Sequence, residues 1–242
     1  MISLSQKTIV VTGAGSGIGK AIALKSLELG ALVIVCDINS DGLKDFENLS
    51  NAHTYQVNVE NLEEVRGLFK HIEENSLKPN ALVNNAGIYL AKSILEYTEE
   101  QIDRVMNVNI KGAVYCSQVF AEKKISEQDQ GVILNISSVA GQEASSDAIY
   151  GMTKAALIGL TKSTATNFSP YIRVNAIAPG VVQTPMMHII PEDRLTSYRE
   201  HELVKEPITA DSVANTATFL LSDQALNYTG AVFDINNGCY LR

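Results

Sequence analysis

Short apolar segments rich in β-branched residues alternate with helical segments along the whole chain, and this alternation constrains the fold more than any other feature. Nearly unbroken apolar strands are typical of a sheet covered on both faces, and the strand–helix–strand order requires parallel strands joined by right-handed crossovers. We therefore predict an α/β fold with a doubly wound parallel sheet. The predicted strands are Thr8–Thr12, Leu32–Cys36, Thr54–Val57, Ala81–Asn84, Val132–Ser137, Arg173–Ala178 and Val232–Ile235. The predicted helices are Ile18–Leu29, Leu62–Glu74, Thr98–Lys124, Ala148–Phe168 and Ala210–Leu221.

Residues 181–207 break this alternation, because they include several prolines and no predicted strand. The segment is too long for an ordinary connection, so we predict a substrate lid or a small helical insertion. Within it, the largely apolar residues 186–190 precede a polar segment, a pattern that fits an amphipathic lid whose closure excludes water. Since no linker, repeat or low-complexity tract interrupts the chain, we predict a single domain over residues 1–242.

The net charge of −8 disfavours nucleic acid and anionic membrane surfaces as partners. No apolar run approaches the roughly 18 residues that a membrane-spanning helix needs, and the first predicted strand begins too early to leave room for a signal peptide. We therefore expect a cytoplasmic protein whose partner is a small molecule. The three cysteines lie far apart and the four histidines lack zinc-ligand spacing, so we predict no metal site and no disulfide.

Four glycines, Gly13, Gly15, Gly17 and Gly19, lie between the first predicted strand and the first predicted helix. A pyrophosphate must approach the backbone closely at such a turn, where a Cβ atom would clash, and the helix offers free N–H groups and the positive end of its dipole. The turn therefore predicts a dinucleotide site. Its spacing differs from G-x-G-x-x-G, and close packing of the strand against the helix is the alternative interpretation.

The second predicted strand runs into Asp37, about 20 residues beyond the glycines, where an acidic side chain can accept hydrogen bonds from an adenosine ribose. A carboxylate there repels the 2′-phosphate of NADP, and neither Ser16 nor Ile38 offers a cation to bind that phosphate. We therefore predict NAD as the cofactor in preference to NADP. A solvated aspartate at a strand end is the alternative.

Tyr150 and Lys154 stand four residues apart at the start of a predicted helix, so both side chains lie on one helix face. A tyrosine with its ordinary pKa of about 10 is a poor proton shuttle at neutral pH. A lysine cation within about 4–6 Å can lower the pKa of the phenol by about 1–3 and bring it towards the range in which acid/base catalysis is efficient. The pair therefore predicts an acid/base tyrosine.

The strand before this helix ends in Ser137 and Ser138, at the sheet edge where open α/β folds bind ligands. A serine hydroxyl at that edge can donate a hydrogen bond to a substrate oxygen and stabilise developing charge. A hydrolase would need a nucleophile elbow, G-x-S-x-G, or an S-x-x-K motif, and the sequence contains neither.

Six motifs in one order make the chain resemble the short-chain dehydrogenase/reductase family over nearly its whole length. They are TGAGSGIG (Thr12–Gly19), NNAG (Asn84–Gly87), MNVNIKG (Met106–Gly112), NISSVAG (Asn135–Gly141), YGMTK (Tyr150–Lys154) and RVNAIAPGVVQTPM (Arg173–Met186). The resemblance implies a catalytic tetrad of Asn109, Ser138, Tyr150 and Lys154. In that family the tyrosine transfers the proton and the serine polarises the carbonyl. The lysine holds the nicotinamide ribose and lowers the tyrosine pKa, while the asparagine kinks its helix and anchors a proton-relay water.

The resemblance also implies an oxidoreductase that moves a hydride between nicotinamide and a carbonyl or secondary alcohol. The family fold is one Rossmann-like domain with a seven-stranded parallel sheet. Together with the glycine turn and Asp37, the resemblance implies cofactor contacts from Gly13, Ser16, Gly17, Ile18, Gly19, Asp37, Ile38, Asn58, Val59, Asn85, Ala86, Gly87, Tyr150, Lys154, Pro179, Gly180, Val182 and Thr184.

The sequence departs from the family pattern in three places. Asn58 stands where the family usually has an aspartate, so an uncharged amide oxygen would face the adenine. The last strand ends in Asn236-Asn237-Gly238 where two glycines are usual, and asparagine tolerates a left-handed turn. The interval from Ser138 to Tyr150 is twelve residues, one fewer than in many members, which alters the wall of the substrate pocket.

The helix that carries Tyr150 also has a stripe of small residues, Gly151, Ala155 and Gly159, at four-residue spacing. Such a stripe permits close approach either of the chain's own sheet or of a partner subunit. Members of the family are commonly homotetramers, so the resemblance favours a subunit interface and a homo-oligomer.

The sequence constrains the identity of the substrate less than it constrains the fold or the cofactor. Residues predicted to face it are Tyr89, Gln142, Glu143, Met186 and Met187. The main alternative function is a 3-oxoacyl-carrier-protein reductase, but those reductases usually take NADPH, which Asp37 and Ser16 disfavour. Pro170 also falls near a position where such reductases often carry a basic residue for the acidic carrier. A non-catalytic dinucleotide-binding regulator is the alternative of another class, although such proteins typically lack the tyrosine or the lysine.

Overall fold

The computed structural model describes residues 2–241 and contains a seven-stranded, wholly parallel sheet. Its strands are β1 Thr8–Thr12, β2 Leu32–Asp37, β3 Ala52–Gln56, β4 Ala81–Asn84, β5 Gly131–Ile136, β6 Ile172–Pro179 and β9 Val232–Ile235; a separate pair consists of β7 Val182–Gln183 and β8 Ile208–Thr209. The spatial order of the large sheet is β3-β2-β1-β4-β5-β6-β9. The predicted Rossmann-like α/β fold with seven parallel strands is confirmed.

The strand order places a crevice at the centre of the sheet. The chain enters at β1, runs outward to β3, and returns to β4 on the other side of β1. At such a reversal the connecting segments leave towards opposite faces, so ligands bind outside the carboxyl ends of the two central strands. Thr12 and Asn84 end these strands and therefore mark the position of the site.

Helices cover both faces of the sheet. On one face α1 and α8 bury Ile22 and Leu220, and on the other α3 and α5 bury Leu68 and Phe120. Each such side chain contributes about 1.5–3 kcal/mol relative to an exposed one, so two apolar layers hold the strand ends in place. Within residues 2–241, no helix combines the length and the apolar character that crossing a bilayer requires. The helices are α1 Gly17–Glu28, α2 Ser40–Leu43, α3 Leu62–Glu74, α4 Glu99–Met106, α5 Gly112–Ser126, α6 Ala148–Asn167, α7 Glu192–Glu200 and α8 Ala210–Leu221.

Most element bounds agree with the sequence prediction. The bounds of β1, β4, β9, α3 and α8 are those predicted, and other predicted elements shift by one or two residues. Strand β3 begins at Ala52 rather than at Thr54, because Ala52 pairs with Val33 of β2. Because His53 is polar, the start of this strand lacks the apolar pattern of the other strands. Only the pairing with β2 shows that the strand begins at Ala52.

The predicted long helix Thr98–Lys124 is interrupted. Its start is confirmed: Thr98 caps α4, and the reciprocal hydrogen bonds between Thr98 and Gln101 form a capping box at 3.3 Å each. A π-helical turn over Asn107–Lys111 then separates α4 from α5. Asn109 lies within this turn, and such turns are rare and frequently occur at functional sites.

Residues 181–207 contain regular structure, of which only a helical insertion was predicted. The segment holds β7, a 3₁₀ helix over Pro185–Ile189 and helix α7. The prediction of no strand is wrong at Val182 and Gln183, which pair with Ile208 and Thr209. A strand of only two residues forms because a partner strand lies beside it. The sequence of one segment alone therefore does not predict such a strand. The predicted helical insertion is present as α7.

Candidate active site

A cleft of about 590 Å³ opens outside the carboxyl ends of the strands, from the ends of β2 and β3 across the central reversal to the ends of β5 and β6. The predicted residues Gly19 and Asn109 do not line this cleft. The other predicted site residues come together along its wall, namely Gly13, Ser16, Gly17, Ile18, Asp37, Ile38, Asn58, Val59, Asn85, Ala86, Gly87, Ser138, Tyr150, Lys154, Pro179, Gly180, Val182 and Thr184.

The turn between β1 and α1 leaves no room for side chains. Gly13 has φ +63°, and a Cβ there would lie 2.7 Å from the Cα atom of Ala86. Gly17 has φ +53°, a conformation that favours glycine. Ser16 caps the helix without a side-chain hydrogen bond, so the first-turn N–H groups of α1 remain available where Gly17 and Ile18 line the cleft. This backbone cradle fits the pyrophosphate of a dinucleotide.

Gly19 packs closely against the turn and does not line the cleft, and its contact with the cofactor stays a prediction. A Cβ at this position would overlap the backbone oxygen of Gly13 and collide with the side chain of Asn85. Asn85 holds the turn through hydrogen bonds from its Nδ2 atom to the backbone oxygens of Thr12 and Gly13, at 3.0 and 2.9 Å. Gly19 therefore lets α1 approach the turn closely enough for these bonds to form.

Gly19→Ala is expected to lower the free energy of unfolding by about 1–3 kcal/mol, because the added methyl group meets backbone that cannot move independently. Gly67→Ala is the matched control: its Cβ would lie 3.7 Å from the Tyr55 hydroxyl, an ordinary contact within α3. That change is expected to stabilise the protein by roughly 0.5–1 kcal/mol. Urea denaturation of both variants measures the difference. Equal stability of the two variants would contradict the packing role of Gly19.

Asp37 is fixed by backbone donors at the end of β2. Its Oδ2 atom accepts a hydrogen bond from the Gly15 N–H at 2.8 Å, and its Oδ1 atom accepts one from the Asn39 N–H at 2.9 Å. A carboxylate oxygen can accept more than one hydrogen bond, so both oxygens retain acceptor capacity towards the cleft. Ser16 and Ile38 line the cleft with it and carry no positive charge.

Asn58 occupies the expected position, but its amide oxygen already accepts one hydrogen bond from the protein. That oxygen accepts a hydrogen bond from the Glu60 N–H at 3.1 Å, while the Asn58 N–H donates to the Glu64 carboxylate at 2.8 Å. The side chain therefore stabilises the turn between β3 and α3. One lone pair of the oxygen remains for a donor on a ligand.

Tyr150 is positioned by the start of its own helix. Asp147 caps α6 by accepting a hydrogen bond from the Tyr150 N–H at 3.0 Å. The Asp147 carboxylate is fully buried and also accepts from the Tyr97 hydroxyl, at 2.9 and 2.8 Å to its two oxygens. Sequence reasoning missed this anchor, although an aspartate just before a helix is a recognisable N-cap signal.

Lys154 and Tyr150 share one face of α6, as their spacing predicts. The Lys154 Nζ atom lies 5.6 Å from the centroid of the Tyr150 ring and donates a hydrogen bond to the backbone oxygen of Ile136 at 2.8 Å. The ring of Tyr89 packs against that of Tyr150, with centroids 4.7 Å apart and planes inclined at 56°. Both rings line the cleft, and the Tyr150 phenol has an aromatic ring and an amino group as neighbours there.

The predicted lowering of the Tyr150 pKa by Lys154 is not found. Burial raises the pKa of the Tyr150 hydroxyl well above its ordinary value, and a hydrogen bond with Ser138 offsets this only in part. The same burial lowers the pKa of Lys154 to about 8. Desolvation disfavours the charged form of both groups and is the largest cause of both pKa shifts.

The lowered pKa of Lys154 predicts a pH effect on stability. Between pH 8 and the ordinary lysine value of about 10.4, the unfolded chain binds more protons than the folded chain, so the free energy of unfolding rises with pH. Urea denaturation of the cofactor-free protein should show the wild type gaining about 1–3 kcal/mol relative to Lys154→Met between pH 7 and pH 10. Parallel curves for the two proteins would refute the buried, proton-releasing lysine.

Ser137, Ser138 and Asn109 differ in their contact with the cleft. Ser137 and Ser138 both line the cleft, but the Ser137 hydroxyl is buried and donates to the backbone oxygen of Lys154 at 2.7 Å. The Asn109 Nδ2 atom donates to the Ile88 oxygen and to the Thr153 hydroxyl, both at 3.0 Å, and its Oδ1 atom accepts from the Ile88 N–H at 2.8 Å. Asn109 therefore braces α6 against the segment after β4, and its role in the catalytic tetrad stays a prediction.

Of the residues predicted to face the substrate, Tyr89, Glu143, Met186 and Met187 line the cleft, and Gln142 does not. The Gln142 side chain donates to the Asp234 carboxylate at 2.6 Å instead. Sequence reasoning also missed cleft residues on α7 and after β9, because their approach depends on tertiary packing. These are Ser197, Tyr198, His201, Glu202 and Cys239.

Metal-ligating side chains are not clustered in the part of the chain that the structure describes. No group of three His, Cys, Asp or Glu residues between positions 2 and 241 could hold a metal ion together. Cys36 and Cys116 are buried free thiols, and burial raises the pKa of both. The expectation of a metal-free site stays a prediction.

Comparison with known proteins places this site in a family. A family model described as enoyl-(acyl carrier protein) reductase matches residues 13–240. The 3-oxoacyl-[acyl-carrier-protein] reductase FabG of Thermotoga maritima is 35% identical over 246 aligned positions, covering 97% of this chain and 98% of its own. Dehydrogenase/reductase SDR family member 6 of Aquarana catesbeiana is 34% identical over 244 positions, with coverage of 97% and 98%. The chain belongs to the short-chain dehydrogenase/reductase family.

A solved structure of the family resembles the whole molecule. The 4-hydroxyisoleucine dehydrogenase complexed with NADH superposes with a TM-score of 0.91 at 32% identity, covering 96% of this chain and 98% of its own. The resemblance implied by the six motifs is thus confirmed. The chain is an oxidoreductase of the short-chain dehydrogenase/reductase family, and its cradle fits a nicotinamide dinucleotide.

Proposed function

We propose that this short-chain dehydrogenase/reductase transfers a hydride between NAD and a carbonyl or secondary alcohol, with Tyr150 as the acid/base. The observation that carries the proposal is the convergence of Tyr150, Lys154 and Ser138 in the cleft that also contains the glycine turn and Asp37. A regulator that only binds a dinucleotide has no need for an acid/base group beside a polarising hydroxyl.

Residues of the chain transfer the proton to and from the substrate oxygen and stabilise the charge that develops on it. Nicotinamide, when bound, supplies or accepts the hydride. During carbonyl reduction the Tyr150 hydroxyl donates its proton to the substrate oxygen, and during alcohol oxidation the phenolate takes it back. Ser138 donates a hydrogen bond to the same oxygen, and the Lys154 cation on the same helix face stabilises the phenolate. The raised pKa of Tyr150 keeps the phenol protonated and ready to act as an acid.

Asp37 supports NAD as the preferred cofactor. Its carboxylate is held by the Gly15 and Asn39 N–H groups in the place where ribose hydroxyls are bound in dinucleotide folds. A 2′-phosphate there would face a negative charge, and neither Ser16 nor Ile38 can compensate it. The NADH complex of the structurally similar 4-hydroxyisoleucine dehydrogenase agrees with this choice.

We further propose that residues 1–242 act as one catalytic domain in which residues 181–207 form the substrate lid. Arg194 of α7 donates a hydrogen bond to the Ala91 backbone oxygen at 3.1 Å, and the Tyr198 and Ser146 hydroxyls are 2.7 Å apart. These two contacts tie α7 to the segments that follow β4 and β5. A cytoplasmic location and a homotetramer stay predictions. For the predicted interface, Gly151 packs against its own chain, whereas Ala155 and Gly159 are exposed.

A 3-oxoacyl-carrier-protein reductase remains the second candidate, because the curated relative from Thermotoga maritima carries that name. Asp37 and Ser16 count against it, since they disfavour NADPH. Turnover of acetoacetyl carrier protein with NADPH, at a higher kcat/KM than any free ketone with NADH, would favour this candidate over ours.

An absorbance screen at the nicotinamide band tests the proposed function. Ketones, diketones, hydroxy acids, amino alcohols, sugars and steroids are offered with NAD(H) and with NADP(H). We expect turnover with at least one class and a higher kcat/KM with NAD(H). Tight NADH binding without turnover of any class would instead indicate a dinucleotide-binding regulator.

A further inference from the structure

The cleft continues beyond Tyr150 into a wall that the proposed reaction does not use. This wall comes from α7 and from the residues that follow α7 and β9, and it faces the loop that carries Glu143. The wall contains the acidic residue Glu202 together with Cys239, and the facing loop adds the acidic residue Glu143. The side chains on this wall determine which chemical group a substrate can have at a distance from its reacting carbon.

Glu202 is buried with too few partners for a carboxylate. Only 8% of the residue is exposed. Within residues 2–241 its carboxylate receives a single hydrogen bond, from the Asn237 Nδ2 atom to Oε2, at the long distance of 3.4 Å. Burying a carboxylate is costly unless it is paired or well hydrogen-bonded, and one long bond from a neutral amide does not compensate that cost. Glu202 therefore has unused acceptor capacity at the cleft.

Glu143 adds a second negative charge to the same region. In the part of the chain that the structure describes, its carboxylate has no hydrogen-bonding or ion-pair partner, and the side chain stands at the exposed rim. Burial first, and then the charges of Glu143 and Glu202, raise the pKa of the Cys239 thiol. Both carboxylates thus act on one point of the wall.

Throughout residues 2–241, no Lys or Arg side chain forms an ion pair with Glu143 or Glu202. Lys205 comes near Glu202, but its Nζ atom donates to the backbone oxygens of Glu200 and Glu202 rather than to the carboxylate. Lys154 donates to the Ile136 oxygen, and Arg194 does not line the cleft and donates to the Ala91 oxygen. Arg104 lines the cleft from α4, whereas the wall comes from α7 and the segments after it. Among residues 2–241, the other Lys and Arg side chains lie off the cleft lining.

His201 also lines this region of the cleft, and its Nδ1 atom lies 2.7 Å from the backbone oxygen of Ser197. The wall and the facing loop therefore present two carboxylates to whatever occupies the cleft, and these suit a donor with a positive charge.

We propose that the substrate is an amino alcohol or amino ketone whose ammonium group is bound by Glu202, with Glu143 adding attraction at the rim. This inference rests on the proposed function, since Tyr150 defines which end of the cleft holds the reacting carbon. A substrate with a carboxylate in the same place would meet two like charges and no free cation.

Three secondary alcohols that differ only in the remote group test the substrate class: 4-aminobutan-2-ol, pentan-2-ol and 3-hydroxybutyrate. At pH 7 with saturating NAD, we expect kcat/KM for the ammonium compound to exceed that of the neutral one by about 10-fold to 100-fold, as for a hydrogen bond to a charged group. The carboxylate compound should be the poorest. Equal or better turnover of pentan-2-ol or 3-hydroxybutyrate would overturn the inference.

Glu202→Gln removes the charge at nearly constant volume and should reduce the preference for the ammonium compound at least about 10-fold. Glu200→Gln is the matched control, because Glu200 is exposed near the end of α7 and does not line the cleft. It should keep the preference of the wild type. An ammonium preference that survives Glu202→Gln would contradict the assignment.

A binding measurement separates failure of this inference from failure of the proposed function. Butylammonium should raise the melting temperature of the wild type more than butyrate does, and Glu202→Gln should abolish that difference. If no alcohol is turned over but this difference is present, the oxidoreductase proposal fails while the cation site stands. If butyrate stabilises the protein as well as butylammonium, the cation site is wrong whatever the turnover.

Discussion

Tyr150→Phe is expected to lower kcat by about 10³-fold while leaving NADH binding nearly unchanged, within the range of 10²–10⁴ that a positioned acid/base contributes. Phenylalanine keeps the ring that packs at 4.7 Å against Tyr89 and loses only the hydroxyl. Neither the glycine turn nor Asp37 contacts this hydroxyl, so the dinucleotide cradle stays intact. Steady-state kinetics together with NADH fluorescence titration measure the two effects separately.

Tyr89→Phe is the matched control for this experiment. It removes a hydroxyl from the neighbouring ring in the same cleft, and that hydroxyl forms a hydrogen bond with Ser146. We expect a loss of kcat below about 10-fold, far smaller than the effect of an acid/base group. If Tyr150→Phe retained turnover comparable to Tyr89→Phe, the proton would have to come from another residue.

The double substitution of Asp37→Ala and Ser16→Arg is expected to raise the ratio of kcat/KM for NADPH to that for NADH by roughly 10²-fold. The aspartate that repels a 2′-phosphate is removed, and a guanidinium is added on the facing turn. Charge-assisted hydrogen bonds of about 1.5–3 kcal/mol each account for an effect of this size. Initial rates with both cofactors at low concentration give the ratio directly.

Asp41→Ala serves as the control for the cofactor experiment. Asp41 is an exposed carboxylate near the same strand end, paired with Lys44 at 2.7 Å, and it does not line the cleft. Removing it should leave the cofactor ratio within about 2-fold, since an exposed ion pair contributes little. An unchanged ratio in the double variant would mean that Asp37 does not bind the ribose.

Local spacing made much of the site predictable from the sequence. The four glycines, the strand that ends in Asp37, and the four-residue interval from Tyr150 to Lys154 each determine geometry within one or two elements. Apart from Gly15 and Gly19, the structure brings these residues to one cleft, because the parallel sheet aligns the carboxyl ends of its strands. Fold class followed from the same alternation of short apolar strands and amphipathic helices.

Features that depend on distant contacts could not be predicted. The pairing of Val182 with Ile208 joins residues far apart in the sequence. No local sequence pattern around Glu202 indicates that its carboxylate is buried beside Asn237. The pKa of Tyr150 was expected to fall, because the sequence reveals a lysine four residues away. The desolvation that raises this pKa depends on the packing of surrounding segments.

A crystal structure of the NADH complex tests most directly whether Tyr150 and Lys154 form the acid/base site of a hydride-transfer enzyme. We predict the adenosine ribose on Asp37, the pyrophosphate at the first turn of α1, and the Tyr150 hydroxyl and Lys154 ammonium both facing the nicotinamide ring. A complex in which these two side chains turn away from the ring, or in which the adenosine occupies the Tyr150 end of the cleft, would contradict the proposed enzyme.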